Sequence, residues 1–385
     1  MMAKIIRLDT EIRDEIISHD GQQIQKCYGC GRCMTACPWN HLERVEYPIF
    51  RYPQSIRIGE IISSEEKQEL EKEVIDIFRC VGCESCLREC PRGVNIADVL
   101  RAVRRVLVEY SSYPDEFKAL VSLIKSSGNP LGEPEAKRTN WRDGLDIPDF
   151  REGFDYLYNP CCVPSYDARA QKVARATASI LKKAGVSFGI LDGEVCCGEA
   201  VRRVGGEGVY EQLSKKNSDL YERLGVKKII VTSPHCQVVF KEGFEVLHIT
   251  QILAELIEEG RLRPKKGFNK KVVYHDPCTL GRQLGIYEEP RKILRSIPGL
   301  ELVEIPYFNR DFSICCGGGS LGLWYDWSKE ERLSSYRLEQ VLATGASILA
   351  VACPYCLQMF EETLKSISQD LEVVDVTEIL AQALT

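Results

Sequence analysis

One short pattern constrains this chain more than any other. Cys27, Cys30, Cys33 and Cys37 followed by Pro38 spell C-x2-C-x2-C-x3-C-P, and Cys80, Cys83, Cys86 and Cys90 followed by Pro91 spell it again. Closely spaced thiolates of this kind wrap one corner of a cubane iron-sulfur cluster, and the last cysteine of the run leaves in the chain direction toward a second cluster. Each motif therefore serves both clusters. Cys27, Cys30, Cys33 and Cys90 are expected to hold one [4Fe-4S] cubane, and Cys80, Cys83, Cys86 and Cys37 the other. Zinc fits this pattern poorly, because it needs a single closed tetrahedral set, usually made from two separated C-x2-C pairs.

The chain has eighteen cysteines in 385 residues. In a small exported domain such a number would mean disulfides. Here the first twenty residues mix charged and apolar side chains and lack the apolar core of an export signal, so the cysteines read as metal ligands or redox thiols. With no apolar run of membrane-spanning length, the expectation is a cytoplasmic chain without direct membrane insertion, reaching a membrane only through a partner subunit. Its length exceeds what one hydrophobic core usually organises. A formal net charge of -6 argues against a nucleic-acid partner. The basic stretch Lys265, Lys266, Lys270 and Lys271 lies among Gly and Pro and reads as a solvated linker.

Between Cys37 and Cys80 the chain inserts a long segment, with helical character from Ile58 to Glu73. After Pro91, residues Ile96 to Tyr110 read as a helix with Val99, Val103, Val106 and Leu107 on one face. Residues 111–152, rich in Gly and Pro, read as a surface linker anchored by Trp141.

The last part of the chain carries one pattern twice. The first copy runs from Asn159-Pro160-Cys161-Cys162 through Cys196-Cys197-Gly198 to Ser233-Pro234-His235-Cys236. The second runs from His275-Asp276-Pro277-Cys278 through Cys315-Cys316-Gly317 to Cys353-Pro354-Tyr355-Cys356. Short β-rich runs at 155–158, 229–232, 272–274 and 348–352 alternate with helical stretches, which argues for parallel α/β layering with the cysteines at strand ends. Helix N-termini and free backbone N-H groups there favour anionic thiolates. Gly198, and Gly317 to Gly319, either let the backbone approach a cluster or simply make a tight turn.

Residues 20–110 resemble the all-helical ferredoxin domain of succinate dehydrogenase iron-sulfur subunits and heterodisulfide reductase C subunits. Residues 155–365 resemble the paired CCG domains of the heterodisulfide reductase B and D family, found also in iron-sulfur subunits of glycolate and lactate oxidases. The resemblance implies a multidomain chain: an all-α ferredoxin domain at 1–115, a linker at 116–152, and two repeated α/β parallel-sheet domains at 153–267 and 268–385 related by pseudo-twofold symmetry. It also implies a non-cubane [4Fe-4S] cluster, with possible catalysis, on Cys278, Cys315, Cys316, Cys353 and Cys356. His275, Asp276 and Arg282 beside it either steer protons or an anionic substrate or serve the fold.

The first copy departs from this pattern at Ser233. Cys162, Cys196, Cys197 and Cys236 remain as a four-thiolate set, which suits a cubane or a structural zinc as readily as a non-cubane cluster. Cys161 either replaces the missing thiolate or is a small buried side chain. Gly205, Gly206 and Gly208 do not make a dinucleotide fingerprint, so any flavin is expected on another chain. Two functions follow. One is a heterodisulfide-reductase-like oxidoreductase subunit. The other is a relay subunit of a flavoprotein complex: glycolate or lactate oxidase-like, electron-transferring-flavoprotein to quinone, or aromatic-ring reductase. Both require flavoprotein, iron-sulfur or haem membrane partners.

Overall fold

The computed structural model describes residues 10–43, 45, 47, 49, 51–58, 74–367 and 369–384. The chain divides into two units. The first comprises Met1–Val121 with Ala200–Val209 and Gly317–Leu333, and the second comprises Ser122–Glu199, Tyr210–Cys316 and Ser334–Thr385. The two short segments of the first unit come soon after the two double cysteines.

Among the described residues the first unit has no strand. Its helices are α1 (Thr10–Ser18), α2 (Arg32–Ala36), α3 (Arg51–Ile58), α4 (Ser85–Glu89) and α5 (Ile96–Glu109), and residues 74–79 are also helical. The helical stretch expected over Ile58 to Glu73 lies, apart from Ile58, outside the described residues. Both cysteine motifs take the same local shape. A left-handed residue, Gly31 (φ 75°) or Glu84 (φ 60°), precedes a five-residue helix, and the last cysteine of the motif, Cys37 or Cys90, ends it in extended backbone. Asn95 starts α5 by accepting the Ala97 N-H, and the helix buries Ile96, Val99, Leu100, Val103 and Val106.

Arg104 is buried on the same helix because every direction it points offers an acceptor. It donates to the carbonyls of Ile77, Cys80 and Arg203 and lies over the Phe78 ring. Arg79 is held similarly, over the rings of Trp39 and Trp327 and 2.8 Å from Glu331. Within the stretch expected to be a linker, α6 (Asp115–Ser127) forms and buries Phe117, Leu120 and Ile124 at helical spacing.

The second unit contains two four-stranded, all-parallel sheets of identical order, β2-β1-β3-β4 and β6-β5-β7-β8. In the first, β1 (Tyr156–Asn159) leads through α7 (Cys162–Tyr166) and α8 (Gln171–Lys183) to β2 (Phe188–Gly189). After α9 (Glu199–Val204), which apart from Glu199 belongs to the first unit, α10 (Glu207–Arg223) leads from that segment to β3 (Lys228–Val231), followed by α11 (Pro234–Phe240), β4 (Glu245–His248) and α12 (Ile249–Glu258). In the second, β5 (Lys271–Tyr274), α13 (Glu288–Arg295), β6 (Glu301–Val303), α14 (Leu333–Leu342), β7 (Ile348–Val351), α15 (Pro354–Ile367), β8 (Glu372–Asp375) and α16 (Val376–Leu384) repeat the plan.

Helices cover both faces of such sheets, so the interior positions of their central strands are apolar: Ile229, Ile230, Val231, Val272 and Val273 are wholly buried. Each is worth roughly 1.5–3 kcal/mol of burial. The repeats exchange helices, α16 packing on α8 and α12 on α13, and one apolar core runs through both sheets. Arg169 ties them further, donating to Glu361, Glu378 and the Val373 carbonyl. Trp141 is buried against Tyr158 in that core, as an anchor should be.

Candidate metal centres

Four cysteines from two distant motifs surround one cavity in the first unit. Cys37, Cys80, Cys83 and Cys86 line it together with Trp39 and Tyr47. Burial, and then the neighbouring thiols Cys83 and Cys80, pushes the Cys37 thiol well up. The Tyr47 hydroxyl is buried beside these thiols without a protein hydrogen-bond partner. The other four cysteines also gather. Cys33 is pushed up to about 11 by burial and then by Cys27, with Cys30 and Cys90 adding to it. Cys90 Sγ accepts the Val94 N-H at 3.3 Å. This second set is nearer solvent, with Cys30 exposed and Cys27, Cys33 and Cys90 half-buried. The structure thus brings the motifs together crosswise, each lending its last cysteine to the other's first three.

The remaining cysteines follow from sheet topology. In a 2-1-3-4 order the chain reverses direction across the sheet between β1 and β3, leaving a crevice beyond their C-terminal ends where α/β sheets bind ligands. Cys162 follows β1, and Ser233 and Cys236 follow β3. Cys278 follows β5, and Cys353 and Cys356 follow β7. The double cysteines arrive from the loops after β2 and β6.

In the second repeat Cys278 Sγ lies 3.7 Å from Cys315 Sγ, and Cys316 Sγ lies 3.3 Å from Cys356 Sγ. Cys353 completes this buried set of five. Although burial alone would raise it, Cys353 is held down at about 6 by hydrogen bonds from Cys356 and His235. His275 joins this group, with Cys316 and Cys356, within a span of 4.8 Å. Its Nδ1 accepts from Arg337 Nε at 3.3 Å, leaving its buried Nε2 with no ordinary protein partner. Asp276 and Arg282 are engaged by the surrounding fold. Asp276 binds the buried Arg291 through two hydrogen bonds of 2.6 and 2.8 Å and accepts the Arg310 N-H, while Arg282 donates to the carbonyls of Asp311 and Ser313.

In the first repeat Cys236 Sγ lies 3.5 Å from Cys197 Sγ, Cys196 Sγ accepts the Gly198 N-H at 3.4 Å, and Cys162 Sγ accepts from the buried Arg138 at 3.5 Å. Burial disfavours the Arg138 charge, but Cys162 and Glu194 outweigh it and keep the guanidinium protonated. Gly198 and Gly317 both have φ 86°, a left-handed conformation that a Cβ would strain.

Among the described residues no two of these cysteines are joined by a disulfide. Gathered thiols facing backbone N-H donors and a buried arginine, beside orphaned polar atoms of Tyr47 and His275, are the surroundings an anionic thiolate cluster requires. Sequence reasoning missed three residues here. His235 reaches Cys353 of the other repeat, and its Nδ1 lies 3.2 Å from Glu199. Tyr355, its counterpart, faces Cys161, Cys196 and Cys197. Both sit before the last cysteine of their repeat, a position that aligning the copies exposes. Arg138 lies in the supposed linker, where no pattern marked it.

Comparison with known proteins agrees with this layout. The cysteine-rich domain (CCG) family matches residues 156–241 and 272–361, and the 4Fe-4S dicluster domain family matches residues 26–94. The chain is 37% identical to the probable iron-sulfur-binding oxidoreductase FadF of Bacillus subtilis, over 85% of this chain and 48% of that protein. It is 31% identical to the EtfAB:quinone oxidoreductase of Syntrophomonas wolfei, over 94% of this chain and 58% of that protein. The chain thus spans about half the length of these two relatives. It is 30% identical to the D component of the dihydromethanophenazine:CoB–CoM heterodisulfide reductase of Methanosarcina barkeri, over 94% of both chains. No described helix is long and apolar enough to cross a membrane. With the dicluster module, both cysteine-rich repeats and nearly full-length similarity in hand, this chain belongs to the heterodisulfide reductase D family of iron-sulfur proteins.

Proposed function

We propose that the chain carries electrons between two [4Fe-4S] cubanes and a non-cubane [4Fe-4S] centre of its second repeat, as part of a multisubunit oxidoreductase. The observation that carries this reading is the gathering of Cys37 with Cys80, Cys83 and Cys86, a crosswise set drawn from two motifs that each keep the spacing of a two-cluster cubane run. Cys27, Cys30, Cys33 and Cys90 would hold the second cubane, and Cys278, Cys315, Cys316, Cys353 and Cys356 the non-cubane centre. When bound, such clusters accept and release single electrons, at potentials set by their surroundings.

The chain's own residues set those surroundings. The partly exposed Cys27 set, with Tyr28 beside it at the surface, suits exchange with a partner protein. The buried Cys37 set and the repeat cysteines exclude water. Val94 N-H, Gly198 N-H, Arg138, His235 and His275 offer hydrogen bonds to sulfur that stabilise the more negative state.

A second reading is favoured by one observation. All five thiols of the second repeat are buried, Cys278 the least so at 7% exposure, which suits outer-sphere relay to a flavoprotein better than inner-sphere cleavage of a bulky disulfide. We propose that the partner is a flavoprotein, an iron-sulfur protein or a haem-bearing membrane protein, and that the chain works on the cytoplasmic side. Anaerobic affinity purification from the native host, reading flavin and haem absorption of the eluate, tests this. A co-purifying flavoprotein supports the relay. Rapid oxidation of the reduced chain by an organic disulfide, without a flavoprotein, supports disulfide chemistry, and recovery without iron would refute both.

A further inference from the structure

The first repeat lacks one ligand of the pattern its twin carries, and the structure offers a substitute from another position. Ser233 stands where the second repeat has Cys353. It is fully buried, and its Oγ has no hydrogen-bond partner. A hydroxyl is a poor thiolate replacement, and an unpartnered one is costly, so the site has not been rebuilt as a neutral polar cluster.

Beside it, Cys161 has a backbone conformation that only glycine adopts readily, φ 81° and ψ 162°. The same place in the second repeat holds Pro277, so the repeat plan does not call for a thiol here. A non-glycine residue in this region is strained and persists only when its surroundings over-determine it. They do so here. The Cys161 N-H donates to Asn159 Oδ1 at 2.9 Å, and the Cys161 carbonyl accepts from Ser165 through both Oγ and N-H. The Cys161 side chain is buried, and with burial it raises the thiol of the buried Cys236. Cys236 in turn lies 3.5 Å from Cys197. A mere filler of apolar space needs no such backbone.

We propose that Cys161 is the fifth thiolate of the first repeat, replacing the cysteine absent at Ser233, and that Cys161, Cys162, Cys196, Cys197 and Cys236 together bind an iron-sulfur cluster. This rests on the reading that the repeats are cluster sites. It makes the two repeats equal in ligand number but different in layout: two adjacent cysteines approach from the β1 side, and only one remains on the β3 side.

The test uses the full chain, purified anaerobically, with iron and sulfide content and low-temperature EPR as readouts, none of which needs turnover. Cys161→Gly removes the thiol and relieves the backbone, so the fold is kept, which protease resistance checks. The expected result is a loss of about four irons per chain, the content of one [4Fe-4S] cluster, with the other signals unchanged. Adding Ser233→Cys to Cys161→Gly should restore the lost iron. Cys236→Ser separates the two levels of the claim. If Cys236→Ser loses iron and Cys161→Gly does not, Cys161 is no ligand and the proposal is overturned. If neither loses iron, the first repeat holds no cluster, and the underlying reading falls for this repeat along with the proposal.

Discussion

His235 and Tyr355 occupy the same position in the two repeats, one residue before the last cysteine, and their rings meet with centroids 4.7 Å apart. Equivalent residues touch in this way where two copies are related by an approximate twofold axis. Each ring also faces the cysteines of the opposite repeat, so a side chain of one copy conditions the centre of the other. His235→Phe keeps the ring contact and removes the hydrogen bond to Cys353. The second repeat's centre should then become harder to reduce, by on the order of 60 mV, since a hydrogen bond to a charged sulfur is worth about 1.5 kcal/mol. Redox titration followed by EPR measures this, and an unchanged potential would deny the cross-repeat bond.

The crosswise cysteine sets proposed to hold the cubanes give a paired prediction. Cys90→Ser should damage the same EPR signal as Cys30→Ser, and Cys37→Ser the same signal as Cys83→Ser. Pairing by motif instead, with Cys37 grouped with Cys30, would show that each run of four cysteines closes on its own cluster.

Arg104 donates to three main-chain carbonyls at once. Arg104→Met keeps the volume and leaves them without that donor, which should cost about 3 kcal/mol. Arg104→Lys should recover little, because a single ammonium cannot span the fork. Hydrogen exchange should rise in the first unit and iron content fall there, while the two sheets stay protected.

His248 and Asp375 end β4 and β8 and cap the helices that follow, each accepting an N-H two residues on, from Thr250 and Thr377. Burial pushes them in opposite directions, His248 down to about 4 and Asp375 up to about 7. His248 resists protonation when folded, so its effect lowers stability as pH falls from about 6.5 toward 4. Asp375 resists ionisation when folded, so its contribution is full below about 3.8 and is lost as pH rises toward 7. Across pH 4.5–6.5 the two slopes oppose, each on the order of 1 kcal/mol per pH unit. Asp375→Asn should make the protein lose stability on acidification relative to the parent, and His248→Gln should make it lose stability on neutralisation. Urea midpoints of parent and variants at matched pH check both signs.

The ferredoxin motifs were legible because cluster ligation needs fixed spacing within one short segment, and the crosswise set follows from that spacing. The repeats were legible because the cysteines recur after strands. The strands at 156–159, 228–231, 271–274 and 348–351 lie within a residue of their apolar runs, since burial on both faces leaves little choice of side chain. What the sequence hid were contacts between segments distant in the chain. Arg138 reads as a solvent-facing charge until Cys162 and Glu194 surround it. The helix α6 was masked by the Gly and Pro that follow it, although Phe117, Leu120 and Ile124 keep helical spacing. The strain at Cys161 is a backbone property, which residue identity alone does not reveal.

The central claim is that the two cubanes and the second repeat's centre are separate sites on one electron path. Low-temperature EPR of anaerobically purified parent, Cys30→Ser and Cys353→Ser, each reduced with dithionite and reoxidised stepwise, tests it most directly. The account predicts that Cys30→Ser loses or alters one cubane signal and blocks electron entry, while Cys353→Ser alters only the second repeat's signal and leaves both cubanes. Identical changes in the two variants, or intact spectra in both, would contradict it.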